Sequence, residues 1–268
     1  MILGFFNLKI NGLFIALAIT NSLSIIYLLK YTKRYLYDLK KISKLYFYIR
    51  FYFKKYATFI MWSNPSNLMN FLSNYLLIII ITRFYGAAVT GIYVFPTNFL
   101  EIPLGLVSSP IQDIFTQNAA SEIDINGDAK LSFKQTFITL LLIAIFIIPI
   151  ILFMSGYISF VFGMEWRGSE KIIGSILFIV CTRFISSPLS MIWIIRKKEK
   201  LNFIWQLLLI FFVFTSLIIP FYFFEIKSIF ELLSIYSFCV GLWYILAIFA
   251  SYKISNLKSK KKSELFIY

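Results

Sequence analysis

Arg183, Glu101 and a ladder of asparagines are the residues of this sequence whose types and spacing can do chemistry. Arg183 sits inside the apolar run SILFIVCTRFISSPLSMIWII, residues 175–195. Ser186, Ser187 and Ser190 follow it at i+3, i+4 and i+7, so on a helix they share its face. A guanidinium at membrane depth costs roughly 3 kcal/mol on insertion scales, so it must face a cavity or a partner. Two readings stand open. Arg183 attracts an anionic ligand such as a phosphate, or it pairs internally with Glu101. Glu101 also lies inside an apolar run, at 91–112. It is either a protonation or cation site for coupling, or an interhelical hydrogen-bond partner.

The elements that would position these groups are two long helices within 56–120. In the first, Ser63, Ser66, Asn67, Asn70 and Asn74 fall at helical spacing. In the second, Asn98, Glu101, Gly105, Ser108 and Gln112 do the same. Lipid rejects such stripes, so the two helices are expected to line something hydrophilic. A tight turn at Gly86–Gly91 is expected to join them. All seven prolines lie within or at the ends of apolar runs, which predicts bent helices. Pro188 is expected to kink the Arg183 helix. The tryptophans fall mainly near the ends of apolar runs, where interface anchoring explains them.

The composition sets the class. Hydrophobic residues make up 60% of the 268, aromatic residues 20% and charged residues only 14%. Apolar runs near twenty residues recur along the chain, which predicts an all-α polytopic membrane bundle rather than a β-barrel. About seven spans are expected, at 10–29, 57–82, 91–112, 135–156, 172–195, 202–223 and 229–251. The net charge of +14 does not point to nucleic acid, because Lys and Arg cluster in short segments between apolar runs. Two cysteines, both in apolar runs, make neither a disulfide framework nor a metal spacing. The absence of histidine removes most hydrolase, acyltransferase and zinc chemistry. No cofactor, no metal site and no enzymatic activity are expected. The acidic segment 113–134 lacks calcium-loop spacing and reads as a solvated connection.

Basic residues on alternate connections divide twenty against five, with Arg183 inside a span. The positive-inside rule then places the C-terminus and the segment 30–55 in the cytoplasm and Met1 outside. An outside start with no signal-peptide pattern leads to the expectation that further helices precede Met1; a reverse signal-anchor is the other reading. Segment 30–55 interleaves basic and aromatic residues, with Leu36, Leu39, Ile42, Leu45, Ile49 and Tyr52 at helical spacing. It suits an amphipathic helix on an anionic leaflet, with Lys40, Lys41, Lys44 and Arg50 at headgroups.

Several short motifs resemble a known family. They are Phe59 and Pro65, Asn70, Ile78–Ile81, Phe84-Tyr85-Gly86, Gly91-Ile92-Tyr93 and Leu100-Glu101-Ile102-Pro103-Leu104. Phe162-Gly163, Trp166, Arg183-Phe184 and Pro188-Leu189 continue the pattern. Together they resemble the polysaccharide flippases, which translocate O-antigen or capsule repeat units within the multidrug/oligosaccharidyl-lipid/polysaccharide exporter superfamily. The resemblance covers about 56–251, as six helices. Where family members often carry a basic residue after the Gly-x-Tyr turn, this chain has Asn98.

The resemblance implies a C-terminal portion of a two-lobe transporter. Residues 1–29 would hold the last helix of a preceding lobe, 30–55 a cytoplasmic amphipathic linker, 56–252 a six-helix membrane lobe and 253–268 a cytoplasmic basic tail. It implies movement of polyprenyl-diphosphate-linked oligosaccharide across the cytoplasmic (inner) membrane by alternating access. The implied partners are that lipid-linked oligosaccharide, membrane lipid, and a complementary N-terminal lobe or second chain. Arg183 would attract the diphosphate, and Glu101 with Asn67, Asn70, Asn74 and Asn98 would line the sugar path. The alternatives are a small-cation or drug exporter with Glu101 as coupling acid, a membrane enzyme acting on lipid-linked sugars, and a non-transporting remnant.

Overall fold

The computed structural model describes residues 9–40 and 45–258. The basic tail beyond 258 and the linker residues 41–44 lie outside the described residues, as do the side chains of 33–45. The headgroup contacts expected of Lys40, Lys41 and Lys44 therefore fall outside them too. The described residues form helices joined by short connections, in the order α1 (Lys9–Lys40), α2 (Leu45–Lys55), α3 (Ala57–Asn126), α4 (Lys130–Ser155), α5 (Ile158–Phe162), α6 (Ser169–Leu189), α7 (Ile192–Ile195), α8 (Glu199–Phe223) and α9 (Ile229–Ser255). A short 3₁₀ turn, Met164–Trp166, follows α5.

The chain divides into two units, Met1–Ala57 and Thr58–Tyr268. In the first, α1 is one continuous helix from Lys9 to Lys40 that takes in the stretch 10–29. Thr20, Ser24 and Thr32 donate their hydroxyls to carbonyls four residues earlier, which satisfies them without water. In α2 an aromatic row (Tyr46, Phe47, Tyr48, Phe51, Tyr52, Phe53) is exposed, and Lys55 lies over the Tyr52 and Tyr56 rings at 6.0 and 5.7 Å.

The second unit is a membrane bundle. Among the described residues five helices are long and apolar enough to cross a membrane: Ala57–Asn126, Lys130–Ser155, Ser169–Ile195, Glu199–Phe223 and Ile229–Ser255. The first of these is too long for one crossing. Its 70 residues would extend about 105 Å at 1.5 Å per residue. It is broken at Gly86, whose φ of 82° and ψ of 170° are open to glycine but strained for other residues. Thr90 Oγ1 donates to Thr82 Oγ1 at 3.0 Å across the break, so the two arms fold back on each other. The turn expected over Gly86–Gly91 is thus a single-residue break, and residues 87–91 are already helix. Phe84 stacks on Phe221 of α8 at 3.9 Å beside the break.

The second arm runs on to Asn126, so most of the connection expected at 113–134 is helix. Only residues 127–129 are non-helical before α4 begins. Glu122 explains the tight junction. Its carboxylate accepts from Leu131 N at 2.9 Å and Ser132 N at 2.7 Å, which covers two of the free N–H groups at the start of α4. Arg196, just past α7, ties the same end together. Its guanidinium donates to Gly127 O at 3.1 and 3.2 Å and to Ser255 O at 3.0 Å. Burial lowers the Arg196 pKa from its ordinary value, with Asp128 and Glu122 opposing the shift.

The core lies between α6 and α9, with Ile172, Ile173, Ile176, Leu232, Leu233 and Val240 all but fully buried. Lipid supplies no hydrophobic drive for helix association, so small residues and close packing carry it. Gly241 of α9 lies against Phe178 of α6, whose ring would be 2.4 Å from any added Cβ. Ser237 Oγ accepts from Ile179 N at 3.0 Å in the same seam. α6 ends where Pro188 predicts, and the chain resumes as α7 after Ser190 and Met191. Trp193, Trp205 and Trp243 form an internal cluster with ring centroids 5.9 and 4.4 Å apart. Trp193 is buried and donates to Ser251 Oγ at 2.8 Å. Trp193 is therefore a packing residue rather than an interface anchor, and the half-buried Trp205 and Trp243 pack in line beside it.

Candidate functional site

The two arms of α3, with α6 and α9, surround a polar seam in the middle of the second unit. Arg183 extends from α6 into it. Its Nη1 donates to Asn74 Oδ1 on the first arm at 3.1 Å, and its Nη2 forms an ion pair with Glu101 on the second arm. The Arg183 side chain is 26% exposed and that of Glu101 42%. The pairing leaves neither charge alone among the surrounding apolar side chains.

Two cavities adjoin the pair. One, of about 230 Å³, is lined by Tyr93, Thr97, Asn98, Ile176, Tyr236 and neighbouring residues. The other, of about 260 Å³, is lined by Leu104, Gly105, Ser108, Phe184 and Ser187. Asn74, Glu101, Val180 and Arg183 line both. The walls present one guanidinium, one carboxylate, amides and hydroxyls set among apolar side chains. Local sequence makes this possible. Pro96 and Pro103 interrupt the second arm's hydrogen-bond ladder on either side of Glu101, because each lacks an N–H. Thr97 Oγ1 bonds back to Tyr93 O at 2.7 Å.

A third cavity, of about 200 Å³, is lined by Phe99, Leu100, Pro103, Ile147, Ile150 and Met154 and is apolar. It shares Leu104 with the polar seam. Among the described residues no group of three His, Cys, Asp or Glu side chains comes together.

The structure brings Arg183, Glu101, Asn74 and Asn98 into one site. It sets Asn70 elsewhere: Asn70 Nδ2 donates to Gln206 Oε1 at 3.1 Å and joins α3 to α8. Asn67 is exposed and lines none of these three cavities. The helical stripe placed all three asparagines within one broad sector. Forty degrees per i+4 step is enough to carry Asn70 and Asn74 toward different neighbours. Sequence reasoning did not find Thr97 or Tyr236, and it met Tyr93 only within the Gly91-Ile92-Tyr93 motif, without placing it at the site. Tyr236 is one aromatic among many, with nothing in its spacing to single it out.

Comparison with known proteins adds one finding. The family described as polysaccharide biosynthesis protein matches residues 16–171, more than half of the chain. The match includes Asn67, Asn70, Asn74, Asn98 and Glu101 and ends before Arg183. It begins within α1, upstream of the 56–251 stretch on which the motif resemblance rests. No curated protein and no solved structure matches the chain significantly. The matched length, together with the helical membrane architecture, identifies this chain as a member of the polysaccharide biosynthesis protein family, a membrane protein involved in making or exporting polysaccharide.

Proposed function

We propose that the chain acts in the flipping of polyprenyl-diphosphate-linked oligosaccharide across the cytoplasmic membrane, as the C-terminal portion of a two-lobe transporter. The observation that carries this reading is a guanidinium held at mid-span between two cavities lined by hydroxyls and amides. Arg183 binds the diphosphate, and Asn74 and Asn98 receive the sugar hydroxyls. The apolar cavity beside Leu104 offers room for the first isoprene units of the carrier. α2 lies on the cytoplasmic leaflet, where it presents aromatic rings and Arg50, Lys54 and Lys55 to lipid. A second lobe or chain covers the polar face that Glu101, Asn74 and Asn98 leave exposed, because lipid alone would not. The chain is a carrier and performs no covalent chemistry.

The test is deletion of the gene in its source strain. Lipid-linked oligosaccharide accumulates on the cytoplasmic leaflet and surface polysaccharide is lost, and the intact gene restores both. Normal leaflet distribution after deletion would overturn the proposal. The superfamily alternative, export of small cations, keeps support from Glu101. It predicts instead a loss of cation or drug resistance with surface polysaccharide unchanged.

A further inference from the structure

We propose that Glu101 is a built-in counter-anion that competes with the ligand for Arg183, and that the Arg183–Glu101 pair is the partition between two halves of one pathway. The inference rests on the anion-site reading of Arg183 given above and assigns Glu101 a gating role rather than a place in the sugar path.

The two polar cavities are stacked along the helices. On α3 one cavity spans Tyr93 to Glu101 and the other Glu101 to Ser108. On α6 the first spans Ile176 to Arg183 and the second Val180 to Ser187. The second arm of α3 and α6 therefore run in the same direction past the pair. One cavity lies toward the Gly86 end of the lobe and the other toward the Asn126 end. With the basic connections inside, these are the outer and cytoplasmic halves. Between them stand the shared residues: Arg183, Glu101, Asn74 and Val180.

The guanidinium is already engaged. Nη1 donates to Asn74 and Nη2 to Glu101. Two of its five N–H groups are taken, and the carboxylate beside Nη2 repels an incoming phosphate, so a phosphate seats best on two parallel N–H donors once Glu101 has moved away. Glu101 is the more exposed partner, and Arg183 shares a cavity wall with the buried Tyr93 and Tyr236, so Glu101 has the freer space to move into. Exchange of one anion for another keeps Arg183 paired throughout, so no charge is left alone at membrane depth. A neutral sugar cannot make that exchange. A cation would bind Glu101 and leave Arg183 unpaired. The partition therefore yields to a phosphoanion and resists other solutes. Ligand binding and opening of the path become one equilibrium, because the ligand favours the state in which Glu101 has moved away.

The experiment uses the full chain in a phosphate-free maltoside detergent, with inorganic pyrophosphate as probe, followed by calorimetry and by the thermal midpoint. Glu101→Gln should bind pyrophosphate about tenfold more tightly than the natural chain, equivalent to about 1.4 kcal/mol. Its midpoint should rise further at a given pyrophosphate concentration. Glu101→Asp, with a shorter reach, should fall between the two, and it carries the test should the Gln variant fail to fold. Arg183→Met should not bind. Equal or weaker binding by Glu101→Gln or Glu101→Asp, with binding still dependent on Arg183, would overturn the competition while leaving the anion site intact. Undiminished binding by Arg183→Met would overturn the anion site and the inference together.

Discussion

Arg183 of α6 pairs with Glu101 of α3, 82 residues earlier in the chain, and the pair sits where two polar cavities meet. Removing one partner strands the other. Arg183→Ala should destabilise the lobe by about 1–2 kcal/mol, less than a fully buried pair would lose, since solvent still reaches Glu101. Arg183→Ala/Glu101→Ala should recover most of that stability and none of the transport. Thermal unfolding in detergent and surface polysaccharide in cells, read side by side, separate the two effects. Recovery of transport in the double variant would show that the arginine is structural only.

Asn74 and Asn70 should part ways, although four residues separate them. Asn74→Ala removes the Nη1 partner of Arg183 and should lower polysaccharide export severalfold at equal protein amount. Asn70→Ala loses only the bond to Gln206, about 0.6–2 kcal/mol of helix packing, and should change export no more than it changes protein amount. Equal loss of export per molecule in both variants would contradict the site as drawn.

Much of this was legible in the sequence, and the limits have physical causes. Apolar run length gave the bundle, because hydrocarbon thickness fixes how many residues a span needs. Polarity at depth singled out Arg183, Glu101 and Asn74, because lipid makes an unsatisfied polar group costly. The Arg183–Glu101 pairing was one of two open readings, since spacing along a chain does not say which helices touch. Asn70 faces Gln206, a contact made by tertiary packing that a single-helix stripe cannot show. The helical extension to Asn126 was hidden by its acidic residues, which read as loop until Glu122 is seen closing the start of α4. The tryptophans looked like interface anchors by position, but Trp193 is buried, with Trp205 and Trp243 packed beside it.

Arg196 should be a structural residue at the opposite extreme from Arg183. Arg196→Ala strands the carbonyl of Gly127, while Ser255 O keeps its bond from Ala129 N, and should cost about 1–3 kcal/mol, read as a lower thermal midpoint. Arg196→Lys offers a point charge instead of a planar fork, so it should recover only part of the loss. Full recovery by Lys would show that charge alone holds this end.

Gly241 should tolerate little growth. The Phe178 ring stands 2.4 Å from the position of an added Cβ, but it is partly exposed and can turn outward. Gly241→Ala should therefore be mild, whereas Gly241→Val should force α6 from α9 and cost roughly 1–3 kcal/mol. Since α6 carries Arg183, the Val variant should also weaken pyrophosphate binding. Unchanged stability in Gly241→Val would contradict the close packing of this seam.

The most direct measurement is the leaflet distribution of polyprenyl-diphosphate-linked oligosaccharide in cells carrying Arg183→Ala at the natural locus, with protein amount matched to the natural chain. A mid-span guanidinium that receives the diphosphate predicts at least about a tenfold fall in the outer-leaflet pool, with the carrier accumulating on the cytoplasmic side. An unchanged distribution at matched protein amount would contradict the role of Arg183 as the anion site.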